Sequence, residues 1–322
     1  MRPAGSPAAL AGDELGGRGS EQAPARRSLR RARDWADRRF FVLAACPAFV
    51  LVAAVAAFPI LLSSWLSFTN YTPVSQSLSW AGIGNYKQMI SGPNASFAQS
   101  AITNTVIFVG GGLAFETVLG VLFAVILARP MRGMMFFRAL FFLPLMINVV
   151  AATIAWGAVL NTSDGWVNYF THILGLGMPN WLGSSYTAMP TLILVDSWTG
   201  VPLIAVIVMV GILVLPRAPL EAARVDGASA FAMFRYVVLP GVRPVLIFAV
   251  MFRLVSMFGQ FAEIQLLTNG GPGLATTVLN FFVYEQSFVN GDVAFGAALA
   301  VVLVLMMAAP LVVLFRIARR EY

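Results

Sequence analysis

The stretch EAARVDGASAFAMFRYVVLP, residues 221–240, lies between two long apolar runs of the chain. It is too polar to cross a bilayer, yet richer in helix formers than a slack connection requires. Pro219 suits the first turn of a helix, where its missing N–H costs no hydrogen bond. Glu221, Ala222, Ala223 and Arg224 continue it with strong helix formers. Gly227 then permits a backbone turn that residues with a Cβ resist, and Asp226 or Ser229 can cap a second short helix. That second helix places Phe231 and Phe234 one turn apart on one face, and Pro240 and Pro244 are expected to stop it and start the next apolar run. The expected product is a two-helix elbow over 217–240, charged on one side and aromatic on the other. An elbow of this kind suits docking into a groove on a soluble partner; a loop that merely lies along a membrane surface fits the same spacing.

The apolar runs on either side belong to a pattern that covers the chain. Of its 322 residues 59% are hydrophobic and only 11% charged, and mean hydropathy is +0.80. A soluble domain lies nearer half apolar and a quarter charged. A transmembrane helix needs about 20 mostly apolar residues. Six stretches qualify, at about 40–64, 99–128, 139–160, 187–215, 242–267 and 293–315. The expected fold is therefore all-α: a polytopic membrane protein with six transmembrane helices and a cytoplasmic two-helix elbow. Residues 1–39 precede the first run. They begin rich in Ala, Gly and Pro without apolar periodicity, which predicts a disordered tail. The first run is too long for the apolar region of a cleaved signal and is expected to stay as a helix.

Charge orients the pattern. Seven arginines fall between Arg26 and Arg39; Arg129, Arg132 and Arg138 separate the second and third runs. Arg217, Arg224, Arg235 and Arg243 separate the fourth and fifth, and Arg316, Arg319 and Arg320 follow the sixth. The opposite loops hold one cation, Lys87, and many aromatics, among them Trp80, Trp166, Tyr169 and Trp181. Cytoplasmic loops collect Lys and Arg, and Trp and Tyr collect at membrane interfaces, so both termini are expected inside. The net charge of +7 is thus topological, and no nucleic-acid partner is expected. Cys46 is the only cysteine and His172 the only histidine, which excludes an intrachain disulfide and a Cys- or His-cluster metal site.

Extended to Pro244, the opening stretch reads EAARVDGASAFAMFRYVVLPGVRP. It resembles the EAA motif of permease subunits from binding-protein-dependent ABC importers, with Glu221, Ala222, Gly227, Leu239 and Pro240 at matching positions. In that family the segment is the coupling helix that plugs into a cleft of the ATPase subunit. The resemblance implies an ATPase-coupling set of Glu221, Ala222, Ala223, Asp226, Gly227, Phe231, Phe234, Leu239 and Pro240. A second match, Leu267-Thr-Asn-Gly-Gly-Pro272 with Thr276, Thr277, Tyr284, Phe288 and Gly296, is similar to carbohydrate-type permeases, as are Ser67-Phe-Thr-Asn70 and Gly84-Asn-Tyr86. The likeness covers roughly residues 40–315. It implies a second permease subunit, usually a different chain, two ATPase subunits that bind ATP and Mg, and an extracytoplasmic binding protein, for whose contact Asn269, Gly270, Gly271 and Pro272 are the candidates; a plain connecting turn fits the same Gly- and Pro-rich stretch. It also implies a sugar or polyol as cargo, phosphorylated polyols such as glycerol 3-phosphate included. The chain itself has no Gly-x-x-x-x-Gly-Lys-[Ser/Thr] phosphate loop; Gly110-Gly111-Gly112 lies inside an apolar run and lacks the lysine. No cofactor and no enzymatic activity of its own are expected.

Depth picks out a candidate cargo path. At about 1.5 Å per residue, Arg253 in the fifth run lies near the bilayer midplane, and Ser256, Gln260 and Glu263 follow at helical spacing. Asp196 in the fourth run comes to a comparable depth beside Thr199, Gly200 and Pro202; Asn148 and Glu116 lie near that level in the third and second. A charge there is costly unless paired, so Arg253 needs a carboxylate, Asp196 or Glu116. The stripe reads either as a structural ion pair or as a cavity in which Asp196, Gln260 and Asn148 exchange hydrogen bonds with sugar hydroxyls. The same intramembrane carboxylates fit a second class, an ion-coupled secondary carrier, although its usual inverted repeats are not visible. A membrane scaffold without transport accounts less well for ionisable groups at such depth.

Overall fold

The computed structural model describes residues 46–47, 50–73 and 78–319; the expected tail over 1–39, with its seven arginines, lies outside them. The chain divides into two compact units, Met1–Leu61 and Leu62–Tyr322. Of the first unit, the described part is essentially the start of helix α1 (Val50–Leu66), where Val50, Leu51, Val55, Phe58 and Leu61 are all exposed. The second unit contains α2 (Gly84–Ser91), α3 (Ala95–Leu127), α4 (Met134–Phe142), α5 (Val149–Val159), α6 (Trp166–Ile173), α7 (Ala188–Leu213), α8 (Arg217–Val225), α9 (Ala230–Met233), α10 (Leu239–Phe258), α11 (Ala262–Leu267), α12 (Leu279–Tyr284) and α13 (Val293–Arg319). Extended pairing among the described residues is confined to one isolated bridge, Thr69 to Trp80.

Among the described residues, four helices are long and apolar enough to cross a membrane: α3, α7, the continuous Ala230–Phe258 helix that ends in α10, and α13. The third and fifth apolar runs are not single continuous helices among the described residues. The third, at 139–160, is a pair bent by 100° between Met146 and Val149, and it makes a fifth span only if the pair is taken as one. Pro144 enters a tight 3-10 turn over Leu143–Met146, Ile147 is extended, and the Asn148 side chain accepts hydrogen bonds from the N–H groups of Val150 and Ala151. The third run is thus two helices with a capped joint. The fifth, at 242–267, ends at Phe258; Gly259, Gln260 and Phe261 interrupt it before α11. Between α9 and α10 the difference is the opposite one. The prolines do not stop the second elbow helix, which passes through a π turn at Phe234–Val238 directly into α10. A π turn widens the backbone where a ring would clash with a regular turn, so Pro240 is absorbed rather than terminating.

The long helix α3 is the spine, packing chiefly on α7, with α10, α2, α12 and α4 against it as well. Its 33 residues reach ~50 Å at the helical rise, well beyond the ~30 Å hydrocarbon layer. Three apolar clusters are strung along it. Phe108 and Val109 meet Leu192, Met257 and Phe281; Ala98 and Ala101 meet Phe295 and Leu299; Ala124 and Leu127 meet Ile204, Val208 and Val242. Outside these clusters the helices expose Val118, Leu122, Ile154, Leu194, Phe248, Leu305 and Val312. In water that surface would drive aggregation; in hydrocarbon it is the ordinary lipid-facing side of a helix bundle whose backbone is satisfied internally.

Candidate functional site

The charged residues of the apolar runs converge. Arg253 on α10 donates Nε to Glu116 Oε2 at 2.6 Å and Nη2 to Glu116 Oε1 at 2.9 Å, a two-pronged contact with α3. The same Nη2 donates to Asp196 Oδ2 of α7 at 2.5 Å. The pairing left open between Asp196 and Glu116 is therefore with both. Asp196 Oδ1 accepts from Gln260 Nε2 at 2.6 Å, and Glu116 Oε1 accepts from Ser197 Oγ at 3.3 Å. Glu116 and Asp196 are fully buried and Arg253 nearly so. One guanidinium thus serves two carboxylates, each of which also accepts from a neutral donor, Ser197 on Glu116 and Gln260 on Asp196. Charge-assisted, two-pronged bonds of this kind are the strong ones, and they tie three separate helices at one level. Gly200, one turn along α7, is required by the closeness: a Cβ there would fall on the Glu116 carboxylate.

The rest of the predicted path surrounds this network unevenly. Glu263 on α11 is buried, and its Oε2 has no hydrogen-bond partner among the described residues. It lies close enough to Asp196, Arg253 and Glu116 to interact electrostatically. Thr199 and Ser256 are half-buried, and each bonds a carbonyl of its own helix, at Asp196 and Phe252. Gln260 stands at the helix break, half-buried, where its backbone carbonyl accepts from Asn280 Nδ2 at 3.3 Å. Asn148 differs from its placement inside a span. It is the exposed cap of the joint before α5, and the structure shows it bonded to that helix's first N–H groups rather than to the network.

The elbow forms as an elbow. Helix α8 ends at Asp226, Gly227 adopts φ 73°, and Ser229 Oγ accepts from the N–H of Ala232 to open α9. Of the two candidate caps it is Ser229 that serves. Glu221, Ala222, Asp226, Gly227 and Phe231 are exposed; Ala223, Phe234 and Leu239 are half-buried. Phe231 and Phe234 do not share a free face: Phe234 turns into a groove of about 490 Å³ with Leu220, Glu221, Arg224, Arg129 and Arg217 at the ends of α3 and α7. Pro240 borders a separate cavity with Arg235 and Tyr236.

At the other end of the bundle, Asn269-Gly-Gly-Pro-Gly273 is irregular, with Asn269 at φ 47° and a cis bond before Pro272. The hydroxyls of Thr277 and Thr276 donate to the carbonyls of Gly270 and Gly271, and Asn104 of α3 donates to those of Leu274 and Thr277. Only Asn269 of the four predicted contact residues is exposed; Gly271 and Pro272 are half-buried and Gly270 is buried. The two early sequence matches bind each other. Asn85 Nδ2 donates to the carbonyls of Ser67 and Thr69, Ser67 Oγ meets Tyr86 Oη at 2.8 Å, and Phe68 packs between Trp80 and Tyr86. Sequence reasoning missed Ser197, Asn104 and Thr105, whose hydroxyl accepts from Leu279 N–H. Their signal was available: polar residues inside strongly apolar helices, where each must find a partner.

Comparison with known proteins agrees with this geometry. The pattern of the family described as binding-protein-dependent transport system inner membrane component matches residues 116–320. The chain is 32% identical over 271 residues to the probable ABC transporter permease protein y4oQ of Sinorhizobium fredii, covering 83% of this chain and 86% of that one. It is 29% identical over 273 residues to the trehalose/maltose transport system permease protein MalF of Thermococcus litoralis, covering 85% and 91%. Among solved structures, a bacterial ABC transporter involved in import of the acidic polysaccharide alginate superposes with a TM-score of 0.75 at 21% identity, covering 89% of this chain and 99% of that one. Helices of membrane length, an elbow at one end and a family match running from Glu116 to beyond α13 place the chain: it belongs to the inner membrane components of binding-protein-dependent transport systems.

Proposed function

We propose that this chain is one of two permease subunits, the other a different chain, of an ATP-driven importer for a sugar or related polyol. An extracytoplasmic binding protein delivers the cargo, and two ATPase subunits, which hold ATP and Mg, drive it. The observation that carries the reading is the continuity of one helix. The exposed elbow runs through the π turn into α10, and α10 carries Arg253 and ends at Phe258, two residues before Gln260. A push on the elbow therefore moves the helix that ends at the charged network, without a flexible joint between. The relatives support the cargo class: proteins named for trehalose/maltose, trehalose, multiple-sugar and sn-glycerol-3-phosphate transport match along most of this chain. Both termini face the cytoplasm in this reading, because the arginines gather at the elbow end. Asn269, Gly270, Gly271 and Pro272 then face the binding protein, with Asn269 as the reaching side chain. Uptake of radiolabelled trehalose or maltose by cells expressing the complete system should stop when ATP is depleted and the proton gradient is held. Uptake that persists under those conditions and stops with the gradient identifies an ion-coupled carrier instead.

Within the path, we assign the cargo-facing role to the half-buried rim, Gln260, Ser256 and Thr199, with Asn148 at the joint. Glu116, Asp196, Arg253, Gly200 and Glu263 form the rigid wall behind it. Gln260 links the two, giving its amide N–H to Asp196. Gln260→Ala should leave assembly and ATPase co-purification intact while lowering transport about tenfold, the size of one hydrogen bond to a charged group. Unchanged uptake kinetics would remove Gln260 from the path. Asp196→Asn should, in contrast, lower the yield of folded protein, because it disturbs the wall itself.

A further inference from the structure

Helix α6 is inside out for a protein surface. Its side chains Trp166, Tyr169, Phe170 and Ile173 are all exposed, Trp166 at 73% and Ile173 at 61%. At 3.6 residues per turn these four positions fall within an arc of about 100°. The opposite arc holds Asn168, which is fully buried, and the half-buried Thr171. These polar groups hold the helix down. Asn168 Nδ2 donates to the carbonyls of Thr162 and Pro179, its Oδ1 accepts from Trp181 Nε1 at 2.7 Å, and Thr171 Oγ1 donates to the carbonyl of Gly177. Thr187 Oγ1 in turn donates to the carbonyl of Trp181 at 2.9 Å, immediately before α7 begins. The helix is thus fixed at the level of the first turn of α7, at the end remote from the elbow, with its apolar side turned away from the protein.

We infer that α6 is an interfacial helix that seats its Trp166–Tyr169–Phe170–Ile173 stripe in the lipid bilayer at that end of the bundle. Eight residues are too few to span, and a helix that is apolar on one arc only lies along the interface. Charge favours lipid over a protein partner. Residues 161–187 contain no Lys or Arg, and Asp164 is their only acidic residue, so the surface has no pattern of charge for a partner to read. Trp and Tyr beside aliphatic residues are the composition of the headgroup boundary. The helices before and after α6 in sequence also expose apolar side chains, among them Ile154 of α5 and Leu194 of α7. The anchor sets the height of α7, and with it the depth of Asp196 and Gly200, through the Asn168–Trp181–Thr187 chain of hydrogen bonds.

The test is spin-label accessibility on the full chain with its co-purifying subunits, in nanodiscs of phosphatidylcholine and phosphatidylglycerol. In a Cys46→Ser background, labels are placed at Ile173→Cys and, separately, at Phe170→Cys, with the loop position Ser163→Cys as reference. The expected result is a severalfold higher ratio of oxygen to water-soluble nickel-chelate accessibility at residues 170 and 173 than at residue 163. Nickel chelate reaching residues 170 and 173 as freely as residue 163 would show a solvated helix and overturn the inference. Shielding of both labels from both reagents would show that protein covers the stripe, and would overturn it equally. The readout does not depend on cargo or transport, so it can fail while the importer reading stands, and the reverse.

Discussion

Replacing Arg253 by Met is expected to remove most of the folded protein. The substitution leaves Glu116 and Asp196 facing each other in a buried site, Glu116 with one of its three side-chain hydrogen bonds, from Ser197, and Asp196 with one of its two, from Gln260. Breaking a buried ion pair by removing one partner costs about 3–5 kcal/mol, a large share of the 5–15 kcal/mol that holds a typical domain together. Insertion should still occur, since a methionine in α10 makes the span more apolar. The loss should appear as a lower unfolding temperature in detergent and a smaller yield of monodisperse protein. Two further variants separate the causes. Arg253→Lys supplies the charge but cannot make a two-pronged contact with Glu116 and reach Asp196 as well, and should fall between parent and Met. Adding Glu116→Gln and Asp196→Asn to Arg253→Met removes the uncompensated charges and should recover most of the stability, because neutral, well-packed replacements of a buried pair are often neutral or better. If Arg253→Met alone proves as stable as the parent, the network does not hold α3, α7 and α10 together.

The convergence of that network was legible only in part. That Arg253 needed a carboxylate, and that Glu116 and Asp196 lay at its depth, followed from span positions and the cost of an unpaired charge. That it would take both did not follow, because the choice depends on the rotation of three helices about their own axes, and apolar runs that are hydrophobic all round carry little rotational information. The same limit explains Asn148. Counting residues put it at the level of Asp196, but Pro144 and the capping geometry of its own side chain turned the chain there and made it a joint. The elbow was far more legible, since Gly227, Ser229 and the helix formers around them act through local backbone chemistry that needs no tertiary context. Two expectations there failed: Phe231 and Phe234 do not share a free face, because Phe234 turns into a groove, and Pro240 does not end a helix, an expectation that came from the same local rules. A π turn sidesteps them by shifting the hydrogen-bond register before the proline.

Gly227→Val is expected to abolish most transport while leaving the membrane portion folded. The elbow closes α8 with a pair of backbone bonds: Ala228 N–H reaches back to the carbonyl of Ala223 at 2.9 Å, and Gly227 N–H to that of Arg224 at 3.1 Å. That arrangement requires a left-handed residue at position 227, and Gly227 has φ 73°. A Cβ there would meet no atom within 4 Å, so crowding within the chain is not the obstacle. The obstacle is the backbone itself, at about 1–2 kcal/mol for a residue with a Cβ in the left-handed region and more for a β-branched one. A strain of that size cannot unfold the bundle, but it can reopen two bonds at an exposed corner and swing Glu221 and Ala222 away from α9. The proposed coupling then fails at the step where the ATPase grips the elbow: co-purification of the ATPase should fall about tenfold or more, as expected from the loss of ~1.4 kcal/mol or more of docking energy. The chain's own unfolding temperature should shift little. Asn at 227 tells the two remaining explanations apart, because asparagine tolerates the left-handed region. Gly227→Asn should restore docking if the turn is what matters. If Asn is as damaging as Val, the partner comes so close to residue 227 that no side chain fits between them. Normal assembly and transport in Gly227→Val would show that the elbow is not the coupling element.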